Sequence, residues 1–314
     1  MVYIGIDLGG TGIKAGIVDE QGAILCKDSC PTRVDLGYAA VIKDMAALAL
    51  RVVEKGGFAL SDVKAIGIGL PGILDPRTGR VPFCTNLGWH DVPVIEEMHK
   101  YVDLPIFVDN DATVAGLAEA VAGVSAGVQN SVFVTLGTGV GGGVIINGKP
   151  YSGSHGVASE IGHMITVAGG EPCTCGNRGC WERYASATAI IREGRKLAEA
   201  KPDSALAKAV DGDLSKIEAR TVIDLAKAGD PDCVALFDAY VTHLCEGLVS
   251  LINLYDPEVI ALGGGVSHAG QFLLDAVRAK LPDYVFYKAM PYARIELAKT
   301  GNDAGIIGAA MLGR

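Results

Sequence analysis

Residues 2–19 read VYIGIDLGGTGIKAGIVD, two apolar runs that flank the glycine turn LGGTG at residues 8–12. A third run, AILCKD, follows directly after the turn EQG at residues 20–22. Alternating runs that are separated by short glycine-containing turns are typical of β-hairpins. The opening of the chain is therefore predicted to be a β-meander of three strands.

The same pattern returns later in the chain. Residues 130–149 contain the strand NSVFVTL, the turn GTGVGGG and the strand VIINGK, which echo the opening and predict an internal duplication. Buried strands at residues 63–70, 104–108 and 258–266 alternate with helical patterns, which is typical of an α/β fold. The predicted helices lie at residues 41–55, 186–200, 221–228, 231–254 and 271–281.

We predict two α/β domains with a cleft between them, because 314 residues exceed one ordinary compact core. No linker is proline-rich or low in complexity, so the boundary follows from the repeat alone. The first domain is expected to comprise residues 1–115 and the second residues 116–301. The C-terminal helix at residues 302–314 is expected to return to the first domain.

Composition and charge exclude several classes of protein. The formal net charge of −9 comes without a basic run, which argues against a nucleic-acid or acidic-membrane partner. The opening residues MVYIGIDL show no signal peptide, and no apolar stretch reaches about 18 residues. The eight cysteines fit reduced thiols better than a secreted disulfide framework. We therefore expect a cytoplasmic protein without membrane or nucleic-acid partners.

One cluster has the composition of a metal site. His163 precedes Cys173, Cys175 and Cys180 in the stretch CTCGNRGC, and three thiols with one imidazole complete a tetrahedral zinc shell. No open coordination position is left, so the predicted zinc is structural. The alternative is a core histidine beside a chance cluster or redox pair of cysteines.

Three glycine loops follow apolar strands, at residues 8–12, 137–143 and 263–265. Glycine lets backbone N–H groups face an anion, so such loops can cradle phosphates, although a tight hairpin needs glycine as well. Neither a P-loop nor a Rossmann fingerprint is present. Two hairpin loops from two repeats are expected to face each other across the cleft and hold a triphosphate.

Two charged residues join the first loop. Asp7 ends an apolar strand, where a carboxylate needs a cation or hydrogen-bond donors, and Mg²⁺ bound through water would serve. Lys14 is a candidate for phosphate contact or a solvated strand residue. The residues predicted to bind nucleotide and magnesium are Asp7, Gly9, Gly10, Thr11, Lys14, Gly137, Thr138, Gly139, Gly264 and Gly265.

Acidic residues supply candidates for catalysis. The run VDNDATVAGLAEA at residues 108–120 places three polar residues, Asp109, Asn110 and Asp111, between a strand and a helix, where one of the three is expected to cap the helix. Asp111 is our candidate for the base that takes a proton from an attacking hydroxyl. Glu160 and Glu182 flank the metal ligands and suit sugar hydroxyls, or else form surface salt bridges.

These stretches together resemble the ROK family of repressors and sugar kinases, within the actin-like ATPase superfamily. The resemblance extends over nearly the whole chain, and is carried by residues 4–19, 131–164, 173–186, 259–267 and 301–310. It implies a two-domain, ribonuclease H-like fold with ATP bound between the domains, a closing motion on sugar binding, and a homodimer or homotetramer.

The resemblance also implies the roles of individual residues. Asp111 is implied to be the catalytic base, and His163 to bind zinc and sugar together. Ser159 departs from the glycine that the family usually has before the sugar-binding glutamate. The residues implied or predicted to bind sugar are Gly72, Asn110, Asp111, Glu160, His163 and Glu182.

The expected reaction is ATP-dependent phosphorylation of a hexose at its 6-hydroxyl. NLGWHDVP at residues 86–93 and CWERYASATA at residues 180–189 are similar to the family's glucokinases, so glucose is the expected substrate. Kinases of N-acetylmannosamine, N-acetylglucosamine or fructose share most motifs and form the alternative.

Two readings without catalysis compete with a kinase. The family's repressors carry an added N-terminal helix-turn-helix, whereas this chain begins inside the first strand. A non-catalytic sugar sensor is a second alternative, although it has little use for Asp111 beside complete phosphate loops.

Overall fold

The structure is a computed structural model and describes residues 1–75 and 77–314. The strands are β1 (Val2–Leu8), β2 (Gly12–Asp19), β3 (Ile24–Pro31), β4 (Val63–Leu70), β5 (Ile73–Asp75), β6 (Arg80–Cys84), β7 (Trp89–Pro93), β8 (Ile106–Asn110), β9 (Ser131–Leu136), β10 (Val140–Ile146), β11 (Lys149–Pro150), β12 (Val259–Gly263) and β13 (Arg294–Leu297). The helices are α1 (Tyr38–Lys55), α2 (Val94–Met98), α3 (Asp111–Ala122), α4 (Glu182–Ala185), α5 (Ala187–Ala200), α6 (Ala205–Ala209), α7 (Ala219–Lys227), α8 (Pro231–Tyr255), α9 (Gln271–Lys280) and α10 (Ala304–Met311).

The first sheet has the strand order β3-β2-β1-β4-β8. β1, β2 and β3 pair antiparallel, which confirms the predicted meander, whereas β4 runs parallel to β1 and β8 parallel to β4. The pairing places Asp7 opposite Gly69, and Gly69 opposite Asp109. Since β1, β4 and β8 run parallel, their carboxyl ends lie at the same edge of the sheet.

The second sheet repeats this order. Its strands run β11-β10-β9-β12-β13, so β9 to β11 correspond to the opening meander, and β12 and β13 to β4 and β8. The shared topology confirms the predicted internal duplication. The predicted helices are present as α1, α5, α7, α8 and α9, with ends that differ by a few residues.

The chain forms two compact units whose limits differ from the predicted domains. The first comprises Met1–Phe133, Gly143–Ser159 and Ala298–Arg314, and the second Val134–Gly142 and Glu160–Leu297. The predicted boundary between residues 115 and 116 falls inside α3, and a helix with one buried face stays in one unit. The β9–β10 hairpin is divided instead, which composition alone does not reveal.

The C-terminal helix α10 packs on β1 and β4 within the first unit. Gly5 on β1 and Gly67 on β4 make this approach possible, because a Cβ at either position would collide with a backbone carbonyl of α10, at Ile306 or Ala309. α1 contributes Val41, Met45, Leu48 and Val52 to the buried core of the same unit.

A small sheet of β5, β6 and β7 was not predicted. Pro82 lies within β6 and Pro93 ends β7. Proline lacks the N–H donor of a sheet ladder, so such runs read as loops in the sequence. Within this sheet, β5 contacts β8 of the first sheet.

Helix α8 is the longest element, with 25 residues. It begins at Pro231, and the Asp230 side chain caps it by accepting from the Cys233 N–H at 2.9 Å. By length and composition alone α8 qualifies as a membrane span, but half of its apolar window is buried within the protein, as in the core helices of water-soluble proteins.

Candidate functional site

The first glycine loop is a tight turn between β1 and β2. The Gly9 N–H donates to the Gly12 carbonyl at 2.9 Å. Thr32 donates its hydroxyl to the Gly9 carbonyl at 2.7 Å and its N–H to the Thr11 carbonyl at 3.1 Å. The Gly9 and Thr11 carbonyl oxygens thus point toward Thr32. An anion bound on the opposite side of the loop would not be repelled by them. Thr32 is remote from the loop in the chain, so the sequence by itself gives no signal for this contact.

Asp7 and Lys14 lie opposite each other in the β1–β2 register. The Lys14 ammonium lies 3.3 Å from the Asp7 carboxylate and 3.5 Å from the Asn302 carbonyl. The Asp7 carboxylate lies so close to Gly305, in the first turn of α10, that a Cβ at position 305 would collide with it. At this place the positive end of the α10 dipole stabilises the carboxylate. A single half-buried carboxylate fits the usual way in which proteins hold Mg²⁺, through one or two carboxylates and water.

The first loop and the acidic run share one edge of the sheet. Asp7, Gly69 and Asp109 are in register on adjacent strands, and strands lie about 4.8 Å apart. The Cα atoms of Asp7 and Asp109 are therefore roughly 10 Å apart, at the ends from which the loop and α3 emerge.

Three predicted sugar-binding residues come together at the start of α3. Asn110 caps the helix, accepting from the Ala112 N–H at 2.9 Å, which confirms that one polar residue of the run is the cap. Its side-chain amide donates to the Gly72 carbonyl at 3.4 Å. Asp111 is the first helical residue, is exposed to solvent, and accepts from the Ala112 N–H at 2.8 Å.

Position 72 accommodates only glycine. Its φ of +99° is unfavourable for other residues, and a Cβ would lie 2.6 Å from the Phe83 carbonyl. The close approach holds the Gly72 carbonyl beside Asn110.

Asp109 is a buried carboxyl group, and the sequence predicted no role for it beyond that of a candidate helix cap. Its side chain accepts from the Asn110 N–H at 2.7 Å and from the Ser152 hydroxyl at 3.1 Å. Burial raises the pKa of Asp109, and these two hydrogen bonds oppose the rise. The signal that could have found it is an acidic residue at the buried end of an apolar strand.

The second glycine loop is shorter than predicted. Val140–Gly143 belong to β10, so only Gly137–Gly139 form the turn. Gly143 serves packing, since a Cβ there would lie 2.6 Å from the Ala112 carbonyl. The start of α5 holds the turn through the Ala187 N–H, 2.8 Å from the Gly137 carbonyl, and the Thr188 hydroxyl, 2.6 Å from the Thr138 carbonyl.

The third glycine loop lies against the end of β9. Gly264 has φ +81°, and a Cβ there would lie 2.6 Å from the Leu136 backbone nitrogen. Leu136 directly precedes the turn Gly137–Gly139, so the structure brings the second and third loops together within the second unit. Gly265 is exposed and begins a 3₁₀ turn.

The four predicted metal ligands converge. The donor atoms of His163, Cys173, Cys175 and Cys180 all lie within 4.8 Å of one another. Gly176 and Gly179 have positive φ values of 93° and 83°, which let the chain turn around one point.

The chemistry of this donor set fits a metal ion. All eight cysteines of the chain carry free thiols. Without a cation nearby, burial raises the pKa of the Cys180 thiol to about 12, so a thiolate there requires a metal. Three sulfur donors and one imidazole match structural zinc.

Glu182 and Glu160 differ in their surroundings. The Glu182 carboxylate accepts from the Cys173 thiol at 3.1 Å and lies 4.0 Å from the His163 ring. Gly139 leaves room for it, since a Cβ there would lie 2.5 Å from the second carboxylate oxygen. Glu160 is exposed and precedes the 3₁₀ turn Ile161–His163. The structure thus brings Glu182 to the metal cluster and the second glycine loop.

Trp181 anchors the segment that follows the metal cluster. Its indole is fully buried, and its N–H donates to the His243 carbonyl on α8 at 2.8 Å. Gly247 on α8 makes room for the ring. The metal loop is therefore fastened to the core of the second unit on its C-terminal side.

Comparison with known proteins finds relatives over the full length. A model of the ROK family matches residues 3–314. Glucokinase of Streptomyces coelicolor is 37% identical, over 99% of this chain and 97% of that protein. Glucokinase of Thermotoga maritima is 36% identical, over 98% of this chain and 96% of that protein.

A solved structure agrees with these relatives. The ROK family glucokinase from Streptomyces griseus, crystallised with glucose and AMPPNP, is 36% identical and superposes with a TM-score of 0.81 over 99% of both chains. This chain accordingly has the actin-like ATPase fold, as predicted. Since the family model extends over all but its first two residues, the chain belongs to the ROK family.

Proposed function

We propose that this protein is an ATP-dependent hexose kinase that transfers the γ-phosphoryl group of ATP to the 6-hydroxyl of glucose. The support is identity of 36–37% to glucokinases over nearly the whole chain, together with the glucose and AMPPNP complex of the Streptomyces griseus enzyme.

The observation that carries the proposal is the exposed carboxylate of Asp111 at the same sheet edge as the first glycine loop. Asp111 takes the proton of the attacking hydroxyl, and the oxygen becomes a better nucleophile as the phosphoryl group transfers. Asn110 and the neighbouring Gly72 orient the sugar, and Glu160, His163 and Glu182 bind its other hydroxyls.

The nucleotide phosphates bind to the glycine loops. N–H groups at Gly10, Thr11, Thr138 and Gly139 would face the phosphates, with Gly264 and Gly265 beside the nucleotide. The N–H groups of Gly9 and Gly137 donate within their own turns, to the Gly12 carbonyl at 2.9 Å and the Gly139 carbonyl at 3.0 Å, so these two glycines contribute the room that a missing side chain leaves. Asp7 would hold Mg²⁺ through water, and Lys14 balances phosphate charge. When bound, the ion neutralises charge on the transferring group.

The metal cluster holds structural zinc. His163, Cys173, Cys175 and Cys180 would fill all four positions, so the ion orders the loop that carries His163 and Glu182 and leaves no position for substrate.

Replacing Asp111 with Asn tests the base. General-base catalysis contributes about 10²- to 10⁴-fold, so kcat should fall by that range in a coupled ADP-release assay. The amide keeps the size of the side chain, so glucose affinity by calorimetry should change less than about threefold. Turnover near the wild-type rate in Asp111→Asn would falsify the assignment.

The substrate is decided by comparing kcat/KM for glucose, mannose, fructose and their N-acetylamino relatives. Glucose should give the highest value. Preference for N-acetylmannosamine, N-acetylglucosamine or fructose would replace glucose as the substrate, and sugar binding without ADP release from any sugar would indicate a sensor.

We further propose a cytoplasmic homodimer or homotetramer, in line with the resemblance to the family. Light scattering after size-exclusion chromatography should give a mass of two or four times 32.5 kDa. A monomeric mass at micromolar concentration would contradict this.

A further inference from the structure

Residues 151–159 form a loop that closes on itself. The Ala158 N–H donates to the Ser152 carbonyl at 3.2 Å, and the Ser159 hydroxyl donates to the Tyr151 carbonyl at 3.2 Å. Gly153, with φ +72°, turns beneath Ala158, where a Cβ would lie 2.7 Å from the Ala158 methyl group. We call residues 151–159 the serine loop. These two bonds join the beginning of the loop to its end.

One side-chain bond ties the serine loop to the sheet. The Ser152 hydroxyl donates to one carboxyl oxygen of Asp109 at 3.1 Å. The other oxygen accepts from the N–H of Asn110, the residue that caps α3. One carboxyl group therefore bridges the serine loop and the backbone that leads into Asp111.

Because Asp109 is buried, losing either hydrogen bond of this bridge is costly. Only 6% of the residue is exposed, and a buried carboxyl group is costly unless donors reach it. Ser152 and the Asn110 N–H supply such donors. If the serine loop left this position, one buried oxygen of Asp109 would lose its hydroxyl partner. The Ser152–Asp109 hydrogen bond therefore favours a single position of the loop.

We propose that Asp109 is a positioning residue for the sugar reaction, which holds the serine loop in a set place relative to Asn110 and Asp111. The inference rests on the proposed kinase function. Ser159, the last residue of the loop, directly precedes the proposed sugar ligand Glu160, so a loosened loop weakens sugar binding. Asp109 itself does not touch the reacting atoms in this proposal.

Removing the hydroxyl of Ser152 tests the bridge on the loop side. Ser152→Ala should raise KM for glucose at least fivefold, while kcat and KM for ATP stay within twofold of wild type. Ser152→Thr keeps a hydroxyl and should restore KM to within twofold. Ser154→Ala is the matched control, because Ser154 lies exposed in the same loop, and it should leave KM unchanged.

Changing Asp109 tests the other side. Asp109→Ala should raise KM for glucose and also lower kcat, because the turn into Asp111 loses its acceptor. Asp109→Asn keeps an acceptor for Asn110 and can donate to Ser152, so it should stay within threefold of wild type in both constants. In the Asp109→Ala background, Ser152→Ala should add less than 1.5-fold.

The proposal is overturned if Ser152→Ala behaves like Ser154→Ala, or if it raises KM equally in both backgrounds. If Asp109→Ala does not fold, the comparison of Ser152→Ala with Ser152→Thr decides. Hydrogen exchange separates this bridge from the kinase function, because Ser152→Ala should speed exchange of the amides at 151–159 even if the wild type phosphorylates no sugar. Unchanged exchange there contradicts the bridge by itself.

Discussion

Asp109 and Asp111 stand two residues apart, yet the fold gives them opposite surroundings. Asp109 points into the protein, where Ser152 and the Asn110 N–H contact it, whereas Asp111 is exposed at the first turn of α3. A strand directs successive side chains to opposite faces, and the change to helix at Asp111 turns the second carboxylate toward solvent. The environments suit a positioning group and a base, respectively.

The pH dependence of stability should report the burial of Asp109. Burial raises its pKa from the ordinary value of 3.8, so the folded state binds this proton more tightly than the unfolded state. The contribution to stability is full below pH 3.8 and is lost as the pH rises through the folded pKa. The side chain in Asp109→Asn does not titrate. The free energy of unfolding of this variant minus that of wild type, measured in urea, should therefore increase as the pH rises from 4 to 8. A difference that stays constant or shrinks contradicts the burial.

Gly139 should control the placement of Glu182. Gly139→Ala puts a methyl group 2.5 Å from the present position of a Glu182 carboxylate oxygen, which must rotate away. Glucose affinity by calorimetry without nucleotide should fall by about 1.5 to 3 kcal/mol, the cost of losing a hydrogen bond to a charged group. Gly137→Ala is the control, since a Cβ there has no atom within 4 Å. Equal glucose affinity in both variants would refute the proposed contact.

At the scale of elements, Glu119 joins α3 to the segment that leads into α10. One of its carboxylate oxygens accepts from the Lys299 N–H, the Thr300 N–H and the Thr300 hydroxyl, and the other accepts from the Val124 N–H. Only 1% of the residue is exposed. A charged side chain is buried here because backbone donors from two segments converge on it.

Truncating Glu119 should therefore destabilise the first unit strongly. Glu119→Ala leaves several buried donors without acceptors, at about 1 to 3 kcal/mol each, so we expect a loss of at least about 3 kcal/mol in urea unfolding. Glu119→Gln keeps one oxygen and should lose less. A loss below about 1 kcal/mol for Glu119→Ala would show that water replaces these bonds.

At the scale of the whole molecule, two sheets of the same strand order support two sets of proposed site residues. The first unit carries the first glycine loop, Asn110 and Asp111, and the second carries the other two glycine loops and the metal cluster. Because all four candidate metal ligands lie in the second unit, binding of a metal ion there should act on the stability of that unit.

Metal removal should lower the melting temperature. The purified protein should contain about one equivalent of zinc, and chelation should cost several kcal/mol, a shift on the order of 10 °C. Cys175→Ser should lose the metal, whereas Cys26→Ser, on β3 of the first unit, should retain it. Less than half an equivalent of zinc, with melting unaffected by chelators, would contradict the proposed site.

The sequence by itself determined the meander, the duplication, the main helices and the four residues that converge as a candidate metal site. These features repeat at strand or helix period, or place ligands close together in the chain, so local geometry expresses them. Only the tertiary structure decided that Asp109 meets Ser152, that Glu119 meets Thr300, and that glycines of β1 and β4 admit α10. Such contacts join residues that are far apart in the chain, and which partner each side chain meets depends on how the strands and helices pack.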